Sequence, residues 1–156
     1  MAIDIDHFTS TEGALIGLDL GVKTIGVAVS DPRQTLATPV TTLKRTKFTA
    51  DAQTLLSMAQ ERLAIGFVLG LPRNMDGSDG PRVQATKTFA KNLSRMTYLP
   101  IALWDERLST AAAERHLLDL DVSRAKRAAV IDSHAASFIL EGALARLADL
   151  RKGSTP

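Results

Sequence analysis

The stretch "IGLDLGVKTIGVAVSDP", residues 16–32, decides the fold. Ile16, Leu18 and Leu20 alternate with Gly17, Asp19 and Gly21. After "GVKT", Ile25, Val27 and Val29 alternate with Gly26, Ala28 and Ser30. A period of two predicts strands over about 14–20 and 25–30, paired as a hairpin. Each strand has one bulky face and one small face, and Asp19 stands on the small face. A buried carboxylate is costly unless something satisfies it. Two readings follow. Backbone donors or an Arg hold Asp19, or the small residues clear space around a working acid.

The rest of the chain extends this start. "DPRQ" signals a turn. "TLATPVTTL", 35–43, reads as a third strand whose Pro39 suits a sheet edge. "KFTADAQTLLSMAQERLA" changes period, with Ala52, Leu55, Leu56, Ala59 and Leu63 at helical spacing. "IGFVLGLP", 65–72, is a continuous apolar run, expected of a strand covered on both faces. "RNMDGSDG" is a loop. Pro81 suits a helix start, with the helix over 83–95. "PIALWDE", 100–106, is a second buried strand. Ser109 or Thr110 caps a helix to about residue 119, and a last helix covers 124–150. The order predicts an α/β fold. A three-strand antiparallel meander plus two parallel strands makes a mixed five-stranded sheet with helices on both faces. Residues 1–13 are expected to be a flexible extension, 14–150 the domain and 151–156 a tail.

Composition narrows the chemistry. The 156 residues fit one domain. The chain has no cysteine, which excludes disulfides, thiol catalysis and Cys-type zinc sites and fits a reducing compartment. His7, His116 and His134 lack zinc-ligand spacing. Lys and Arg exceed Asp and Glu by 19 to 17, so any nucleic-acid binding must come from local patches. No apolar run reaches the ~18 residues of a transmembrane helix. The acidic start "MAIDIDHFTSTEG" lacks the apolar core of a secretory signal. No membrane association and a cytoplasmic location are expected.

Two further acids are oddly placed. Glu106, in "WDERLST", sits at the carboxyl end of a buried strand, where sites of open α/β sheets lie. Alternation sends Asp105 and Glu106 to opposite faces, so only one can reach a shared site. The plainer alternative is a surface ion pair with Arg107. Asp132 falls at helical spacing among Ala128, Ala135, Ala136, Ile139 and Ala143, a stripe that lets a helix approach the sheet closely. A helix-edge acid bonded to a neighbouring Arg is the alternative there. His134 points about 160° away and is a bystander. Carboxylates that converge stay ionised together only beside cations. Hard oxygen ligands suit one or two Mg²⁺ or Mn²⁺ ions, and such sites serve phosphoryl chemistry.

"GLDLGVKTIGVAVSDP", "GLPRNMDGSDGP", "DERLSTAAAE", "SRAKR" and "IDSHAA" together resemble the YqgF-type bacterial family. That family is described as Holliday-junction-resolvase-like and as nucleases of precursor 16S ribosomal RNA. The resemblance covers about residues 14–145 and rests on five motifs in order. It implies an RNase H-like fold and a divalent-metal nuclease site whose catalytic and metal-binding acids are Asp19, Glu106 and Asp132. The strand ending "GLP" carries no carboxylate, and Ala135 stands three residues after Asp132. Fewer metal ligands than in better-known junction resolvases are therefore implied.

Around the acids, candidate phosphate contacts are Lys23 in the hairpin turn, Arg73 and Asn74 in the Gly-rich loop, and Arg107. Arg124, Lys126 and Arg127 of "SRAKR" and Lys44, Arg45 and Lys47 of "KRTK" add to them. Each has a bland alternative as a solvated charge, and the loop as a plain set of Asx turns. One Trp and one Tyr leave few stacking platforms, so backbone and shape recognition is expected. The partner is then a nucleic acid, either precursor ribosomal RNA, on its own or in a pre-ribosomal particle, or a four-way DNA junction. A resolvase cutting two strands symmetrically should be a homodimer, and a monomer favours RNA. Two other classes compete. "LDLGVKTIGVAVS" also resembles the first phosphate motif of actin-like ATPases, which need two such domains. A non-catalytic assembly factor would have no use for the acids.

Overall fold

The computed structural model describes residues 2–73, 76–107 and 124–153. The strands are β1 (Ala2–Ile3), β2 (Ala14–Leu20), β3 (Thr24–Ser30), β4 (Ala37–Lys44), β5 (Ala64–Leu71) and β6 (Ile101–Asp105). The helices are α1 (Phe48–Glu61), α2 (Pro81–Ser94) and α3 (Arg124–Gly153). They form one mixed sheet in the order β1-β6-β5-β2-β3-β4. β2, β3 and β4 are the antiparallel meander, and β2, β5, β6 and β1 run parallel. The five expected strands are all present. Pro39 lies on the edge strand β4, opposite Ala28 beside a register shift, a setting that tolerates its missing N–H. The helix expected from Ser109 or Thr110 lies outside the described residues.

The alternation of the strands divides the core. Ile16, Leu18, Ile25, Phe67, Leu69 and Ile101 face α1 and α2, which bury Ala52, Leu55, Ala59, Phe89, Ala90 and Leu93. Leu15, Ala28, Val68, Ala102 and Trp104 face α3, which buries Ala136, Ile139, Leu140, Ala143, Leu144 and Leu147. Both faces are covered. This explains the unbroken apolar runs of β5 and β6.

The N-terminal segment departs from the expected flexible extension. Ala2–Ile3 adds a sixth strand against Ile101 and Ala102. A 3₁₀ turn over Ile5–Ser10 then buries Ile5 and Phe8. Phe8 fits because Gly66 offers no side chain: a Cβ there would lie 2.5 Å from Phe8 Cζ. The tail differs too, since α3 continues to Gly153. Arg151 donates to the carbonyls of Phe8, Thr9 and Thr11 at 2.9–3.2 Å and to Gln34 Oε1 at 2.6 Å. Gln34, buried with φ of 60°, donates to the carbonyls of Thr11 and Gly13. One guanidinium and one amide thus tie down the chain before β2.

Candidate functional site

The hairpin register brings the two small faces together. Gly17 pairs with Ala28, and Asp19 with Gly26. α3 rests on this floor. A Cβ on Gly17 would lie 2.9 Å from both the Ala136 carbonyl oxygen and Leu140 Cβ, so only glycine fits there. At Gly26 the same test finds Ala136 Cβ and Asp19 Cβ at an ordinary 3.5 Å. The space cleared by the small residues is filled by the helix and remains partly open at Asp19, which is half-buried.

Glu106 reaches the same place from the other side. It follows the last residue of β6, and β5 lies between β6 and β2. β5 presents Gly70 there. Glu106 Oε1 and Cγ lie 2.7 and 2.8 Å from where a Gly70 Cβ would be. The side chain therefore crosses bare backbone to hydrogen-bond with Asp19. Burial, then the negative charge of Asp19 and the hydrogen bond with it, push the Glu106 carboxyl up to about 7, while the Arg82 charge pulls it down. Asp105, one residue earlier, behaves differently. Arg107 Nε lies 3.0 Å from both of its oxygens, and the Arg107 amide donates to Oδ1. That guanidinium holds Asp105 below the usual carboxylate range, with burial opposing.

The family described as "RuvX: Holliday junction resolvase" matches residues 13–146. The chain belongs to this family. It is the family that the five motifs resemble. Curated relatives carry a more specific name. A protein of Rhodopseudomonas palustris (strain TIE-1) named "Putative pre-16S rRNA nuclease" is 71% identical over 140 residues, covering 90% of this chain and 88% of that one. One of Nitrobacter hamburgensis with the same name is 69% identical over 142 residues, covering 91% and 87%. Among solved structures, the yeast mitochondrial Holliday junction resolvase Ydc2 aligns with a TM-score of 0.54 at 10% identity, over 96% of this chain and 88% of that one. Thermus thermophilus RuvC in complex with a Holliday junction substrate aligns with a TM-score of 0.53 at 11% identity, over 91% and 97%. These two structures establish the RNase H-like fold for this RuvX-family chain.

The other expected site residues are placed unevenly in this RuvX-family protein. Asp132 lies in α3, four residues before Ala136, and its side chain is outside the described ones, as are those of Arg124, Lys126 and Arg127. Asn74 also falls outside the described residues. Among the described residues no group of three acids or histidines gathers, and Asp19 with Glu106 is the pair that meets. Lys23 is exposed on the β2–β3 turn. Arg73 faces Asp79 at 3.3 Å, close enough for ion pairing though not aligned as a hydrogen bond, and Lys87 lies 3.2 Å from the same carboxylate. In the loop, Asp76 Oδ1 accepts from the Ser78 amide and hydroxyl, the Asx turn that its composition allows. His134 lies beside the Phe138 ring. Arg82 was missed by sequence reasoning. It immediately follows the loop motif, and it donates from Nη2 to the Leu20 carbonyl at 3.0 Å. No local pattern links residues 62 apart.

Proposed function

We propose that this protein is a divalent-metal-dependent nuclease that trims the 5′ end of precursor 16S ribosomal RNA in the cytoplasm. The observation that carries the reading is the Asp19–Glu106 pair, converging across Gly70 at the carboxyl ends of parallel strands. The names of relatives near 70% identity supply the substrate. The donor set fits a hard cation. A cation beside the pair would favour the ionised Glu106 carboxylate that burial and the Asp19 charge oppose. Asp132 is the third acid of this reading, since positions 132 and 136 share a helix face by spacing. One or two ions held by Asp19, Glu106 and Asp132 would polarise the scissile phosphate and its attacking water. The chain's own part is to hold its carboxylates in one place on rigid elements. Lys23, Arg73, Asn74, Arg107, Arg124, Lys126 and Arg127 are the proposed backbone contacts, for naked RNA or RNA in a pre-ribosomal particle.

The second reading, resolution of four-way DNA junctions, rests on the family's description. One experiment separates the two. A 5′-extended 16S precursor RNA and a four-way DNA junction are incubated side by side with Mg²⁺ or Mn²⁺, using wild type, Asp19→Asn and Glu106→Gln. RNA cleavage lost in both variants supports the proposal. Junction cleavage alone, by a dimer in light scattering, supports the second reading. No cleavage of either, or cleavage that survives both substitutions, overturns the acid-site mechanism.

A further inference from the structure

The cations near the acid pair fall into two kinds. Arg73 and Arg107 each face a carboxylate close in sequence, Asp79 and Asp105. Arg82 and Arg45 are pinned instead by neutral carbonyls at the end of β2. Arg82 Nη2 donates to Leu20 at 3.0 Å, and Arg45 Nη1 to Gly21 at 2.7 Å. A carbonyl orients a guanidinium without cancelling its charge. Among the described residues neither arginine has an acidic partner within 4 Å. Each keeps most of its five N–H donors. The Arg45 side chain is further fixed over the Phe89 ring, 5.8 Å from its centroid. Between the two arginines lies a cleft of about 80 Å³, floored by Leu20, Gly21 and Thr86.

Leu20 is the residue after Asp19, and the Arg82 charge acts on Glu106. Leu20 turns to the α1–α2 face and Asp19 to the α3 face, so the cleft approaches the acids around the end of β2, where the Arg82 charge reaches Glu106. We propose that Arg82 and Arg45 form a clamp for a backbone phosphate of the nucleic acid, one that seats the strand against the Asp19–Glu106 pair. The inference rests on the nuclease reading for its consequence in cleavage, but the binding it asserts is measurable separately. A strand entering the site meets two preoriented charges that no carboxylate among the described residues pairs with inside 4 Å. Planar guanidinium forks suit phosphate oxygens better than a lysine does.

The test uses the full chain and a fluorescent single-stranded RNA in EDTA, titrated by anisotropy across KCl concentrations. Cleavage of the precursor RNA in Mg²⁺ is measured in parallel. Arg82→Gln should bind ~10-fold more weakly, with the slope of log K against log salt reduced by about 0.7, the share of one phosphate contact. Arg82→Lys should recover most of the slope, which a merely structural role would not predict. Lys91→Gln, an equal charge loss at the far end of α2, should leave the slope unchanged. Arg45→Gln provides a second variant, since it reaches a different carbonyl. In Mg²⁺ the Arg82→Gln defect should appear mainly in KM. Equal slopes for wild type, Arg82→Gln and Arg45→Gln would overturn the clamp while leaving the nuclease reading intact. An Arg82-dependent slope in a protein that cuts nothing would support the clamp and remove the nuclease reading.

Discussion

Replacing Gly70 with alanine should uncouple catalysis from stability. The added Cβ would meet Ile139 Cδ1 at 2.5 Å, Glu106 Oε1 at 2.7 Å and Glu106 Cγ at 2.8 Å. Ordinary carbon contacts need about 3.5 Å, so each neighbour must yield roughly 0.7–1 Å. All three atoms belong to side chains, two of them at their tips, so they can move without shifting backbone. Overpacking costs about 1–3 kcal/mol, here at the low end, and the stiffer unfolded chain offsets about 0.4–1 kcal/mol. A net loss of about 1 kcal/mol lowers Tm by about 2–4 °C in a domain this size. The displaced group, however, is the Glu106 carboxylate. A misplacement near 1 Å can cost about 100-fold in rate. Single-turnover cleavage of the precursor RNA, with a thermal melt of the same sample, reads both quantities. A Gly70→Ala protein that cuts at the wild-type rate would refute the claim that Glu106 must cross this backbone to act.

Gly17→Ala should show the opposite balance, because its Cβ meets the Ala136 carbonyl and Leu140 Cβ at 2.9 Å and the whole helix must move. A loss of about 2–3 kcal/mol is expected by denaturant titration, against no loss for Gly26→Ala. The raised Glu106 carboxyl predicts a pH dependence in metal-free protein. Its folded value of about 7 exceeds the ordinary 4.5, so its contribution is full below 4.5 and is lost as pH rises through about 7. Glu106→Gln should thus be more stable than wild type at pH 8, by up to about 3 kcal/mol at 1.36 kcal/mol per unit, and should lose that advantage by pH 4.5. Arg151→Ala should cost about 2 kcal/mol and raise amide exchange across 5–13, because it removes the shared donor to three carbonyls and Gln34.

The acid pair was half legible in the sequence. Strand period put Asp19 on a small face, and the structure supplies the register that sets it opposite Gly26, since a one-residue slip would turn the bulky set of β2 away from α1 and α2. Alternation also separated Asp105 from Glu106. Gly70 was invisible as a partner of Glu106, since "VLGLP" reads equally well as a strand with any small residue. The N-terminal segment was misread for a related reason. Two residues of β1 carry no period, and Ile5 and Phe8 stand among Asp4, Asp6 and His7 in a polar context. Their order comes from the bare backbone of Gly66 and from Arg151, 140 or more residues away. Local pattern records which face of an element is buried. It does not record which distant donor satisfies a carbonyl.

That distinction also separates cations anchored by carbonyls from cations paired with acids. Sequence proximity selected Arg73 and Arg107 because they sit beside the motifs, but proximity to a motif is also proximity to its acids. Asp79 and Asp105 pair with them. An arginine keeps its charge for a ligand when its anchor is neutral, and neutral anchors are carbonyls that strands expose at their ends. β2 ends in two such carbonyls, Leu20 and Gly21, directly after Asp19. The strand end that carries the acid therefore also orients the two guanidiniums. Acid and guanidiniums, brought from three separate segments, thus gather at one strand end, without an ion pair between Asp19 and either arginine among the described residues. Such an arrangement is poor for stability alone, since the acids repel and, among the described residues, neither arginine has a carboxylate within 4 Å. It suits the proposed task, in which the arginines would meet the backbone charge of a phosphodiester and the acids would hold the cation that serves its cleavage.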